Sequence, residues 1–102
     1  MKASNTFGQT IRALREEQNV PLRVVAAAVE IDSTMLSKLE RGERFPTTSQ
    51  LEKFAKYFEF PLEELSAKAI ADRFLAQYGE HPGAKLAISY VKERFSTYET
   101  RK

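Results

Sequence analysis

Apolar residues recur at intervals of three and four along nearly the whole chain, and no stretch alternates apolar and polar positions for more than a few residues. That is the period of helices that pack by one face. Phe7, Ile11 and Leu14 predict a first helix over about 6–18, and Asn19, which tolerates left-handed backbone, predicts its stop. Pro21 suits the opening turn of a second helix over about 22–29. Asp32 is a good N-cap for a third, over about 33–41, and Gly42 ends it. Pro46 breaks the chain again, and Thr47 with Gln50 predicts a capping box opening a fourth helix over 48–58, whose inner face is Leu51, Phe54, Ala55 and Phe58. After a turn at Phe60-Pro61, a long fifth helix is expected over about 62–78. Residues 79–83 are the clearest loop, a last helix is expected over about 84–98, and 99–102 are expected to fray.

Two of these segments carry the functional signal. In the second and third helices, Val25, Val29, Ile31, Leu36 and Leu39 stand where a tightly joined pair buries its inner faces. The third helix then keeps Ser33, Thr34, Ser37 and Lys38 on its outer side. A short helix with a small, polar, partly basic outer face has the shape that enters a DNA major groove. In the last helix, Ala84, Ile88, Val91, Phe95 and Tyr98 follow one another at spacings of 4, 3, 4 and 3, the seam of a two-heptad coiled coil, with Leu86 and Tyr90 as a second edge. The fifth helix adds Ile70, Phe74, Leu75 and Tyr78.

Composition narrows the classes. The 102 residues suit one compact domain, or a small domain with an appendage. Cysteine is absent, which excludes disulfides, thiolate metal sites and a thiol nucleophile. No run approaches the roughly 18 continuous apolar residues of a membrane span, and the first residues lack the apolar core of a signal peptide. A cytoplasmic protein is expected. The net charge of +2 is weak and uneven: residues 1–65 hold nine Lys/Arg against ten Asp/Glu, and residues 66–102 hold seven against four. Only local placement of cations therefore speaks for nucleic acid. The single histidine, His81, lies in a loop beside Pro82 and reads as a surface residue. No phosphate loop, nucleophile–base set or readable carboxylate pair is present, so an enzyme is not expected, nor a cofactor or a metal.

From Phe7 to Leu65 the chain resembles the helix-turn-helix domain of the Cro and phage-repressor type, the XRE family. The likeness is carried by Arg15, Ala26, the Ser37-Lys38-Leu39-Glu40-Arg41-Gly42 segment, Pro46, Leu51, Phe54-Ala55-Lys56 and Leu62-Glu63-Glu64-Leu65. It implies an all-α fold: a five-helix lambda-repressor-like DNA-binding domain over 1–65, with an extended fifth helix and an added C-terminal helix over 66–102. It makes the third helix the recognition helix. Ser33 and Thr34 would face base edges, and Lys38 a guanine edge or a phosphate. Ser37 would serve the backbone. Arg23, Arg41 and Arg44, with Thr47, Thr48 and Ser49 at the start of the fourth helix, would hold phosphates, against the plainer reading of each arginine as a surface charge. Arg15 and Glu40 would pair behind the recognition helix.

The chain also departs from the family pattern. Pro21 and Leu22 stand where the family has a Ser or Thr cap and a phosphate-holding Gln, and Glu30 stands where it often has Gly. The implied activity is that of a transcriptional regulator, most simply a repressor on double-stranded DNA at a palindromic operator. Phe74, Tyr78, Ile88, Val91, Phe95 and Tyr98 would join two copies in a homodimer. Alternatively the last two helices fold as a hairpin on the domain. A different class of function is also open: an antitoxin or adaptor whose C-terminal helices bind a small partner protein. Controllers of restriction–modification operons share this size and fold.

Overall fold

A computed structural model describes residues 5–100. Six helices follow one another, α1 (Phe7–Glu17), α2 (Leu22–Ala28), α3 (Ser33–Glu40), α4 (Thr48–Phe58), α5 (Leu62–Tyr78) and α6 (Ala84–Thr100), with no strand among the described residues. The fold is all-α as expected, and every helix begins within one residue of its expected start. The fraying expected from residue 99 is corrected at its first two positions, where α6 continues through Thr100; residues 101 and 102 lie outside the described ones. No helix among the described residues is long and apolar enough to cross a membrane.

Side-chain caps set the starts. Thr47 and Gln50 form the expected capping box on α4, and Thr6 and Gln9 form a second one on α1. Asp32 accepts a 2.7 Å hydrogen bond from the Met35 N–H at the head of α3. Pro21 is the N-cap of α2 and supplies no side-chain hydrogen bond.

One device ends the first four helices. At each, a residue with positive φ turns the chain back: Asn19 (59°), Glu30 (61°), Gly42 (76°) and Glu59 (51°). The next N–H in each case reaches a carbonyl five residues back, as in Val20 to Arg15 (3.1 Å) and Ile31 to Ala26 (2.9 Å). This is the Schellman closure, and the residues that follow the turn at Val20, Ile31 and Phe60 pack against the core. Glu30 therefore does hold the left-handed backbone that favours glycine.

The core is built from one face of each of α1 to α4 and the first half of α5. Phe7, Ile11, Val25, Val29, Leu36, Leu39, Phe54, Phe58 and Leu65 are all buried. Phe7 meets Phe54 edge-on with ring centroids 5.6 Å apart. Ala26 is buried where α2 packs on α3, and its small side chain lets the two cross closely. Gly8 fills a similar need where α1 crosses α3: a Cβ there would run into the carbonyl oxygens of Leu39 and Glu40.

Packing on the head does not stop at residue 65. Lys68 and Ala69 are buried, and the Asp72 carboxylate accepts a 3.0 Å hydrogen bond from the Phe7 N–H. Beyond that, α5 leaves the head and α6 extends from it, with Ala84 the only buried residue described in α6. The radius of gyration, 15.5 Å, exceeds the roughly 13 Å of a compact domain this long, because α6 projects.

Candidate nucleic-acid interface

In α3, Leu36 and Leu39 anchor the inner side in the core. Thr34 is exposed, while Ser33, Ser37 and Lys38 are half-buried along the outer side. Leu22, which replaces the family's phosphate-holding Gln, instead packs against the core. The contact that Gln would make is thus exchanged for buried apolar area at the start of α2. Arg23, the next residue, is exposed.

The pair expected behind α3 is formed, and it is bidentate. Arg15 Nε donates to Glu40 Oε2 at 2.8 Å and Nη2 to Oε1 at 3.1 Å. Arg15 Nη1 also donates to the Val20 carbonyl at 3.3 Å. Only 17% of the Arg15 side chain and 6% of the Glu40 side chain are exposed. One guanidinium thus joins the end of α1, the approach to α2 and the last residue of α3. The hydrogen bond to Glu40 raises the Arg15 pKa further above its ordinary value, against the opposing effect of burial.

The flanking cations are not equivalent. Arg44 is exposed in the loop after α3. Arg41, the C-cap of α3, is engaged within the protein: it donates to the Glu43 carboxylate and to the Ser37 hydroxyl. That hydrogen bond is the main reason the Glu43 carboxyl lies below the usual carboxylate range and Arg41 above its own. Two of the expected phosphate groups, Ser37 and Arg41, are thus tied to each other and to an acid. The Arg-x-Glu spacing in the sequence was the available signal for this. At α4 the capping box takes up the Thr47 N–H, which donates to Gln50 Oε1 at 3.0 Å. The expectation of a free N–H at Thr47 is corrected accordingly. The first-turn N–H groups of Thr48 and Ser49 have no protein acceptor among the described residues.

The expected dimerisation residues fall in two places. Phe74 and Tyr78 meet at a tilt near the end of α5, with ring centroids 5.4 Å apart. With His81, Gly83, Ala84 and Ala87 they line an apolar recess where α5 turns into α6. The His81 ring is held there, its Nδ1 accepting a 2.9 Å hydrogen bond from the Gly83 N–H. Ile88, Val91, Phe95 and Tyr98 lie along α6, each about half exposed. Of the two helices of the hairpin alternative, α5 packs on α1 and α4, whereas no extensive packing joins α6 to α1, α2, α3 or α4.

A family model described as a helix-turn-helix domain matches residues 6–67. Among curated proteins, the HTH-type transcriptional repressor RghR of Bacillus subtilis (strain 168) is 32% identical over 65 residues, 63% of this chain and 48% of that protein. The chain thus spans about half the length of the curated relative it matches. No solved structure matches. With a recognition-type helix seated on α2, the Arg15–Glu40 clamp behind it and a family match covering more than half of its residues, the chain belongs to the helix-turn-helix family, in the Cro and phage-repressor arrangement.

Proposed function

We propose that this protein is a cytoplasmic transcriptional repressor that binds a palindromic operator as a homodimer, reading bases with Ser33, Thr34 and Lys38. The observation that carries the reading is α3 itself: a short helix clamped from behind by Arg15 and Glu40 while its small polar side stays accessible. Hydroxyls and one ammonium at that face match base edges and phosphates in the major groove. Arg23, Arg44 and the first turn of α4 at Thr48 and Ser49 supply contacts to the DNA backbone that set register, while Thr47 is engaged in the capping box. Ser37 and Arg41 join them once Arg41 leaves Glu43. Residues 1–65, with the part of α5 packed on them, supply the reading head, and the remainder of 66–102 the second interface.

The homodimer is supported by the apolar side chains the monomer leaves in water. Ile70 is 68% exposed, Phe95 52% and Tyr98 54%. Large apolar side chains repeated along one helix in this way mark a protein interface, and the heptad seam of α6, Ile88, Val91, Phe95 and Tyr98, each about half exposed, suits pairing with a second copy of itself. A small partner protein covering the same side chains is the competing occupant, and it is the feature an antitoxin or adaptor would use.

Selection of bound sequences from random duplex DNA, run beside a light-scattering mass, tests the reading. A twofold-symmetric sequence with half-sites about 34 Å apart and the mass of two chains are expected. A monomer mass, or no bound duplex, would overturn it. The Arg41–Glu43 pair gives a second expected result. Glu43→Gln should tighten operator binding by roughly threefold and steepen the log–log salt slope by up to about 1, because one more cation becomes available to phosphate. Anisotropy titrations at graded salt read both quantities, and an unchanged slope would show that Arg41 stays off the DNA.

A further inference from the structure

The middle of α5 touches the head at three polar or aromatic points, one just before α1, one at its first turn and one in the loop after α3. Lys68 is buried, at 6% exposure, and its Nζ donates to the Asn5 carbonyl at 3.1 Å. One turn later, Asp72 Oδ2 accepts from the Phe7 N–H at 3.0 Å, at the positive end of α1. The adjacent Arg73 places its guanidinium 4.8 Å from the centre of the Phe45 ring. Phe45 belongs to the loop between α3 and α4, beside Arg44. The residue after Phe7 is Gly8, whose missing side chain lets α1 lie against the last carbonyls of α3. A cleft of about 360 Å³, lined by Phe7, Gly8, Leu39, Phe45, Asp72 and Leu75 among others, runs between these contacts. Nothing in core formation by α1 to α4 requires Asp72 or Arg73. Their contacts instead fix the direction in which α5 leaves the head.

We propose that Lys68, Asp72 and Arg73 are positioning residues that lock α5 to the first turn of α1 and to the α3–α4 loop, so that the angle between recognition helix and α5 is rigid and limits the half-site spacing the dimer accepts. The proposal rests on the homodimer reading given above. In a twofold dimer joined through the arms, the separation of the two recognition helices is the arm's direction counted twice. A rigid joint admits one spacing; a loosened joint admits several, at reduced affinity for the best one.

The test uses the full chain and a panel of duplexes that carry the selected half-site twice, with centre-to-centre separations varied one base pair at a time. Wild type should prefer one separation. Asp72→Ala and Arg73→Ala should each bind a duplex with a single half-site as wild type does, yet lose about tenfold of the discrimination between the best separation and its neighbours. Arg73→Ala leaves the caps of α1 intact, so it keeps the test open if Asp72→Ala unfolds the head. Variants that keep the wild-type spacing profile overturn the proposal while the dimer reading stands. A wild type that is monomeric and indifferent to separation overturns both.

Discussion

Glu40→Ala is expected to cost about 3–5 kcal/mol of folding stability, the usual loss when one partner of a buried ion pair is removed. The Arg15 guanidinium would keep its charge with little solvent to receive it, since only 17% of that side chain is exposed. Its remaining bond is the one to the Val20 carbonyl. Thermal unfolding followed by circular dichroism reads the effect, and a fall in Tm of more than about 10 °C is expected for a domain this size. The double variant Arg15→Met, Glu40→Leu supplies the control. Apolar replacement of both members of such a pair is often near neutral, so most of the stability should return. A single variant that melts with wild type would show that the bidentate geometry contributes nothing. A double variant that is as unstable as the single would locate the damage outside the pair.

Gly8→Ala should destabilise the head by roughly 2–3 kcal/mol, the upper part of the usual range for forcing atoms into a filled site. The sign is the informative part. Glycine inside a helix is ordinarily about 1 kcal/mol worse than alanine, so propensity alone predicts a gain. Here the added Cβ meets the main-chain carbonyls of Leu39 and Glu40, which no side-chain rotation moves aside. Either α1 withdraws from α3 or the last turn of α3 opens, and the second route disturbs Glu40 as well. Urea unfolding gives the number. A variant equal to wild type or more stable would mean that α1 and α3 do not approach as closely as described.

The helices were legible because their ends are chemical. Thr47 with Gln50, Asp32 before α3 and Asn19 after α1 declare themselves through local hydrogen bonds that involve only near neighbours in sequence. Arg15 and Glu40 came from the family resemblance, since nothing in the sequence relates two residues that far apart. Glu59 went unread, because glutamate is not a residue that advertises left-handed backbone; the core packing of Phe60 imposes that turn. Gly8 went unread, because its reason is a pair of carbonyls about thirty residues away. Asp72 and Arg73 are ordinary helix charges by sequence, and their partners, Phe7 and Phe45, are set by tertiary structure. At the recognition face the residue types were legible, whereas the Ser37–Arg41–Glu43 set went unread although its members are near neighbours in sequence, because the family resemblance assigned Ser37 and Arg41 to phosphate instead.

That set bears on how a repressor would find its operator. A genome offers millions of random sites for every correct one, and what governs occupancy is the ratio of affinities, not the tighter one alone. Loose encounters with random duplex are held by phosphate attraction through a mobile ion layer, and on the proposed reading an Arg41 occupied by its own carboxylate and hydroxyl would take less part in them. Seating α3 in a matching groove brings a phosphate close enough to compete. On the proposed reading, an arginine withheld in this way would add little dwell time on the wrong sequence and contribute on the right one, so the internal acid that lowers total affinity would also shorten the search.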